Sequence, residues 1–138
     1  MISEPLTCSE AFAGSGDIAA ARDLAVDFLT HAQDAHGIPV SGQATDMVKL
    51  VVSELVTNAR KHAPGPCLLI LEISDNTVRV AVWDSNPTLP TIPAPDPRRV
   101  GQHGLEIVTT ICQSFEAHRK PVGKSITVAI GLASNTRG

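Results

Sequence analysis

The sequence lacks features that would each indicate a particular class of protein. Three cysteines occur among 138 residues without a CxxC pair, which disfavours a disulfide framework or thiolate metal site and favours reduced thiols. The formal net charge is −3, so the basic face of a general nucleic-acid-binding protein is missing. No apolar run approaches the roughly 18 residues of a membrane span, and no signal-peptide pattern opens the chain. We therefore expect a soluble cytoplasmic protein without direct nucleic-acid contacts.

The hydrophobic pattern predicts one α/β domain over residues 1–138. Apolar residues make up 43% and charged residues 18% of the chain, which is typical of a globular core. Helical and alternating patterns predict a two-layer α/β (α+β) sandwich, with about three helices on one face of a mixed, mostly antiparallel sheet. The predicted strands are 5–12, 68–73, 78–83, 114–117 and 125–132, and the predicted helices are 18–35, 43–63 and 105–112.

A long proline-rich loop separates the two halves of the predicted sheet. Five prolines fall within residues 86–99, and neither a helix nor a central strand accommodates them. A loop of this length in a compact domain is usually functional or disordered. It therefore marks a candidate binding segment.

The second predicted helix carries two polar residues where its pattern is apolar. Glu54 and Asn58 are four residues apart, so they share one face, and a helical projection puts them within the apolar arc near Met47, Leu50 and Val51. An unpaired carboxylate withdrawn from water costs several kcal/mol, on the order of 3 or more.

Two interpretations of Glu54 and Asn58 remain open at this point. In the structural one, Glu54 lies at the edge of the arc or pairs with Lys61 or Arg22. In the functional one, the helix lines a cavity, where carboxylate and amide oxygens suit Mg²⁺ and a carboxylate can act as a general base.

Two further segments offer groups that could contact a ligand. Asp84 ends an apolar strand, where a carboxylate can accept a hydrogen bond from an amino group such as that of adenine, although aspartate also begins turns routinely. Gly101 and Gly104 precede a predicted helix, where glycine lets main-chain N–H groups approach a phosphate. The GxxxxGK[ST] pattern of P-loop proteins is absent.

These residues lie in three motifs that resemble those of the GHKL (histidine-kinase-like) ATPase superfamily. Residues 52–63, VSELVTNARKHA, resemble its N-box, residues 81–87, AVWDSNP, its G1-box, and residues 101–108, GQHGLEIV, its G2-box. Their order and spacing fit nearly the whole chain. More narrowly, the chain resembles the short bacterial anti-sigma-factor serine/threonine kinases.

The resemblance implies a Bergerat-type ATP-binding fold and a role for each matched residue. Glu54 would be the catalytic base, Asn58 would hold the Mg²⁺ of ATP, and Asp84 would accept the adenine amine. Residues 86–103 would form a lid over ATP. On a late strand Ser125, or else Thr127, would supply a hydroxyl near adenine. The remaining nucleotide contacts implied are Asn86, Gly101, His103, Gly104 and Leu105.

The same resemblance implies a regulatory function with protein partners. The expected activity is phosphorylation of a small antagonist protein, sequestration of a sigma factor, or both, by a protein that forms a homodimer. Asn86 and Gln102 stand where the family usually has glycine, so an ATP-responsive binding switch without appreciable kinase activity is the alternative. A third hypothesis is an interaction protein that no longer uses nucleotide. A sensor histidine kinase is disfavoured because no helical hairpin with a phosphoacceptor histidine precedes the motifs.

Overall fold

The chain folds into a five-stranded sheet with two long helices packed on one face. The computed structural model describes residues 6–12, 17–62, 67–85 and 114–133. The predicted lid, 86–103, and the predicted third helix, 105–112, lie outside these residues. The elements in chain order are β1 (Leu6–Phe12), α1 (Asp17–His36), α2 (Gly42–His62), β2 (Cys67–Ser74), β3 (Thr77–Asp84), β4 (Ser114–Arg119) and β5 (Lys124–Gly131).

The sheet has the strand order β1-β2-β3-β5-β4, and each of its four pairings is antiparallel. β2 and β3 form the predicted hairpin, whose turn residues Asp75 and Asn76 have positive φ angles of 54° and 60°. Two central residues with positive φ characterise a turn whose twist matches that of the strands. β5 lies between β3 and β4, so the start of β5 adjoins the end of β3.

Local groups cap the end of α1 and the start of α2. After α1, Gly37 has a φ of 66° and donates its N–H to the carbonyl of Gln33 at 3.1 Å. Glycine adopts this left-handed conformation without a Cβ clash. Ser41 caps α2 because its Oγ accepts the N–H of Ala44 at 3.0 Å. The N–H of Ser41 also donates to the carbonyl of Leu132 at 2.8 Å, which ties the start of α2 to the end of β5.

The core lies between the helices and one face of the sheet. Alternate residues of β2, β3 and β5 are buried, as expected where side chains point to opposite faces. The two helices contribute small and branched residues to the same layer, and this confirms the predicted two-layer sandwich. The buried helical residues are Ala21, Ala25, Leu29, Ala32, Ala44, Val48, Val51, Val52, Leu55, Val56 and Ala59.

The turn before β5 packs tightly against the end of β3. Gly123 has a φ of 78°, and a Cβ at this position would collide with the main-chain oxygen of Asp84. The indole Nε1 of Trp83 donates to the carbonyl of Val122 at 2.8 Å. Main chain and side chain together hold the end of β3 beside the beginning of β5.

We expect Gly123→Ala to be more destabilising than Gly37→Ala, although both glycines have a positive φ. A Cβ at Gly37 meets nothing within 4 Å. Its replacement should therefore cost only the backbone strain, about 1–2 kcal/mol. The collision at Gly123 should add about 1–3 kcal/mol. Urea unfolding followed by circular dichroism measures both free energies, and equal losses would show that the close approach at Asp84 does not constrain the fold.

Candidate functional site

Helix α2 carries Glu54 and Asn58 along the border of its buried face. Both side chains are half-buried, whereas the neighbouring residues Val51 and Leu55 are completely buried. A helical projection of the sequence puts the two polar residues within the apolar arc. The structure leaves both half-buried at its edge, which is the position that the structural interpretation of Glu54 predicts. A side chain at such an edge reaches both the packed interior and the adjoining space.

Glu54 is not neutralised by a neighbouring charge in the described part of the chain. It forms no hydrogen bond or ion pair there, and Arg22, one of the two partners considered from the sequence, is exposed. The side chain of Lys61 lies outside the described residues. No described residue therefore occupies the carboxylate oxygens of Glu54, which are hydrogen-bond acceptors.

The side-chain amide of Asn58 makes fewer hydrogen bonds than buried polar groups usually do. Among the described residues, its Nδ2 is the one buried side-chain nitrogen or oxygen without a hydrogen-bond partner. Buried polar groups are paired in the large majority of cases, and an unpaired one costs about 1–3 kcal/mol. A half-turn of the amide exchanges Nδ2 and Oδ1, so the oxygen that Mg²⁺ prefers can take either position. Asn58 therefore fits the predicted role of metal ligand.

Asp84 is the last residue of β3 and is engaged by a charged partner. Its Oδ1 accepts a hydrogen bond from the Lys124 Nζ at 2.9 Å, and each side chain is only 2% exposed. The two residues are direct cross-strand neighbours in the β3–β5 register. A buried charge pair with this geometry compensates part of the large cost of desolvating both ions.

Lys124 was missed as a site residue by the sequence-based reasoning, although the sequence carried a signal for it. Lys124 is in phase with Ile126, Val128 and Ile130, which are buried on the helix-facing side of β5. A lysine that alternates with buried residues on a strand is expected to have a buried partner of opposite charge. Asp84 occupies a buried position of this kind at the end of β3.

In the β3–β5 register Ser125 is opposite Trp83, and Lys124 is opposite Asp84. Consecutive strand residues point to opposite faces, so Ser125 and Thr127 lie on the face of the sheet away from the helices. A cation rather than a hydroxyl therefore stands beside the carboxylate of Asp84. The other nucleotide contacts expected from the sequence lie outside the described residues: Asn86, Gly101, His103, Gly104 and Leu105.

A concavity lies between β1 and α1. It has a volume of about 360 Å³, and its lining includes Leu6, Cys8, Leu24, Phe28 and His31. Burial and the nearby carboxylate of Glu10 raise the pKa of the Cys8 thiol, which therefore stays protonated and unreactive near neutral pH.

Within the described ranges no three His, Cys, Asp or Glu side chains converge as a metal site. None of the described helices is long and apolar enough to cross a membrane.

Comparison with known proteins identifies the family to which this arrangement belongs. The family model of the histidine kinase-like ATPase domain matches residues 16–130, which include both helices, β2, β3, β4 and nearly all of β5. The chain therefore belongs to the histidine kinase-like ATPase family. No curated protein matches the chain.

We expect Lys124→Met to destabilise the protein because it removes the cation that donates to the buried carboxylate of Asp84. Breaking a buried ion pair on one side costs about 3–5 kcal/mol. Lys120→Met, at an exposed position close by, is the matched control and should change the free energy of unfolding by less than about 0.5 kcal/mol.

The double variant Asp84→Asn, Lys124→Met separates the pair from its surroundings. Its loss in free energy of unfolding should be smaller than the sum of the losses in the two single variants, because changing both residues removes both charges of the buried pair. Strict additivity in urea unfolding would contradict an energetic coupling between Asp84 and Lys124.

Proposed function

We propose that the chain binds ATP with Mg²⁺ and acts as a regulatory protein of the anti-sigma-factor serine/threonine kinase type. In this function it phosphorylates a small antagonist protein, sequesters a sigma factor, or does both. The observation that carries the proposal is the pair Glu54 and Asn58, half-buried on one face of α2 and without compensating partners among the described residues.

The roles of the two α2 residues follow from their chemistry. Asn58 would hold Mg²⁺ through its amide oxygen, and the metal would supply positive charge to the phosphates of ATP. Glu54, one helical turn away, would accept the proton of an attacking serine or threonine hydroxyl. Asp84 would accept a hydrogen bond from the adenine amine. Residues 86–103 would cover the nucleotide, with phosphate contacts from Gly101 and Gly104.

The protein partners are supported by the sequence resemblance to anti-sigma-factor kinases. A cytoplasmic homodimer that meets the sigma factor and its antagonist is the corresponding assembly. Membership of the histidine kinase-like ATPase family supports the proposed ATP binding more directly than it supports the proposed protein partners.

Glu54→Gln should abolish transfer of phosphate to the antagonist while ATP binding remains nearly unchanged. The amide keeps the size of the side chain but cannot take the proton, and loss of a general base typically lowers the rate about 10²–10⁴-fold. Radiolabelled ATP and the candidate antagonist measure the transfer. The control is Asp46→Asn, an exposed carboxylate on the same helix. Labelling by Glu54→Gln at the wild-type rate would reject Glu54 as the base.

Asn58→Leu should separate stability from ligand binding. Leucine removes the unpaired amide at similar size, so the free energy of unfolding should rise by about 1 kcal/mol. The rise in melting temperature with ATP and Mg²⁺, compared with ADP without metal, should disappear, because the metal ligand is gone.

The control for Asn58→Leu is Thr57→Val, at the half-buried neighbouring position of α2, which should keep the ATP-dependent rise. A Mg²⁺-dependent shift that persists in Asn58→Leu would count against the metal-binding role.

An ATP-responsive switch without kinase activity is the second candidate. Asn86 and Gln102 stand where the motifs that this chain resembles usually have glycine. They favour this candidate because side chains at these positions would restrict the approach of the main chain to the phosphates. Calorimetry that finds Mg²⁺-dependent ATP binding without turnover in wild type would select the switch over the kinase.

A further inference from the structure

Asp84 and Lys124 form one recognition unit rather than a single acceptor. They are the last residue of β3 and the first residue of β5, they face each other in register, and Nζ lies 2.9 Å from Oδ1. A ligand atom within hydrogen-bond reach of the carboxylate is therefore also close to the ammonium group. The base that Asp84 would recognise must satisfy both groups.

A neutral base amine does not displace the lysine. Hydrogen bonds between two ionised groups are roughly twice as strong as neutral ones, and both partners here are withdrawn from water. Displacement would also separate the buried ammonium group from the carboxylate that it contacts at 2.9 Å, which is unfavourable. A base that binds Asp84 consequently binds with Lys124 in place.

The chemistry of the pair matches the edge of adenine. A carboxylate only accepts hydrogen bonds and an ammonium group only donates them. Adenine presents a donor, its 6-amino group, next to an acceptor, its ring nitrogen N1. Guanine presents the reverse order, an oxygen acceptor at position 6 next to a donor at N1.

The two strand ends are fixed in a way that suits such recognition. Gly123 packs against the main-chain oxygen of Asp84, and Trp83 donates to the carbonyl of Val122. Groups held by their surroundings lose little freedom when a ligand binds, which favours specificity. Because both side chains are buried, a base reaches them only after neighbouring groups move.

We infer that Lys124 is a specificity-determining residue of the nucleotide site, which donates a hydrogen bond to N1 of adenine while Asp84 accepts one from the 6-amino group. This inference rests on the proposed ATP binding. It gives the base-recognition role beside Asp84 to a cation on the helix-facing side of β5 rather than to a hydroxyl.

The decisive comparison uses wild-type protein and two nucleotides that differ at one atom. In 1-deaza-ATP a C–H group replaces N1, and the 6-amino group remains. Calorimetry with Mg²⁺ should show that 1-deaza-ATP binds about 10- to 100-fold more weakly than ATP, because the ammonium group faces a carbon. Equal affinities for the two nucleotides would overturn the role of Lys124, and GTP binding tighter than ATP would overturn the assignment to adenine.

Variants of Lys124 test whether its side chain causes the difference in affinity between ATP and 1-deaza-ATP. Lys124→Met should bind ATP more weakly and lose the difference between ATP and 1-deaza-ATP, whereas Lys124→Arg, which keeps a cationic donor, should retain it. Lys120→Met is the control for loss of a nearby exposed positive charge and should discriminate as wild type does. Discrimination retained by folded Lys124→Met would overturn the inference.

The comparison also distinguishes failure of this inference from failure of the proposed function. If wild type binds no ATP with Mg²⁺, the proposed function itself fails, and the inference fails with it. If ATP binds in a manner that depends on Asn58 but is indifferent to N1, only the role of Lys124 is rejected. Because the nucleotide series needs no variant, it remains decisive even if Lys124→Met does not fold.

Discussion

The buried ion pair between Asp84 and Lys124 is the contact on which the geometry of the candidate base-binding region depends. Two ions withdrawn from water are tolerated only when they meet with good geometry. The β3–β5 register supplies it by placing the two residues directly opposite each other. Gly123 then permits the close approach of the following turn to β3. The register of β3 and β5 therefore determines which charged groups meet at this end of the sheet.

Helix α2 carries its two polar residues, Glu54 and Asn58, without a buried ion pair among the described residues. Its fully buried residues hold it against the sheet, while Glu54 and Asn58 lie at the border, where partial exposure reduces the cost of a polar group. The unpaired amide of Asn58 retains an unfavourable contribution that a bound ligand could remove. Functional sites often carry such local costs, which favourable interactions elsewhere in the fold offset.

The sequence alone predicted the order and type of the described elements because their signals are local. Apolar periodicity separated helices from strands, and Gly37 together with the turn at Asp75 and Asn76 marked where elements end. Predicted and observed bounds differ by one or two residues for most elements. The N-box resemblance likewise singled out Glu54 and Asn58, since a polar pair one turn apart is visible in a single helix.

What the sequence could not determine were the contacts that join distant segments. Asp84 was recognised as a polar strand end, but its partner is 40 residues away and follows from strand pairing. The register pairs Lys124 with Asp84 and Ser125 with Trp83, and a shift of one residue along a strand changes the face of the sheet. The sequence thus determined the local elements and the helix-borne polar pair. Tertiary structure decided that a lysine meets Asp84, because only register and strand order bring the two charges together.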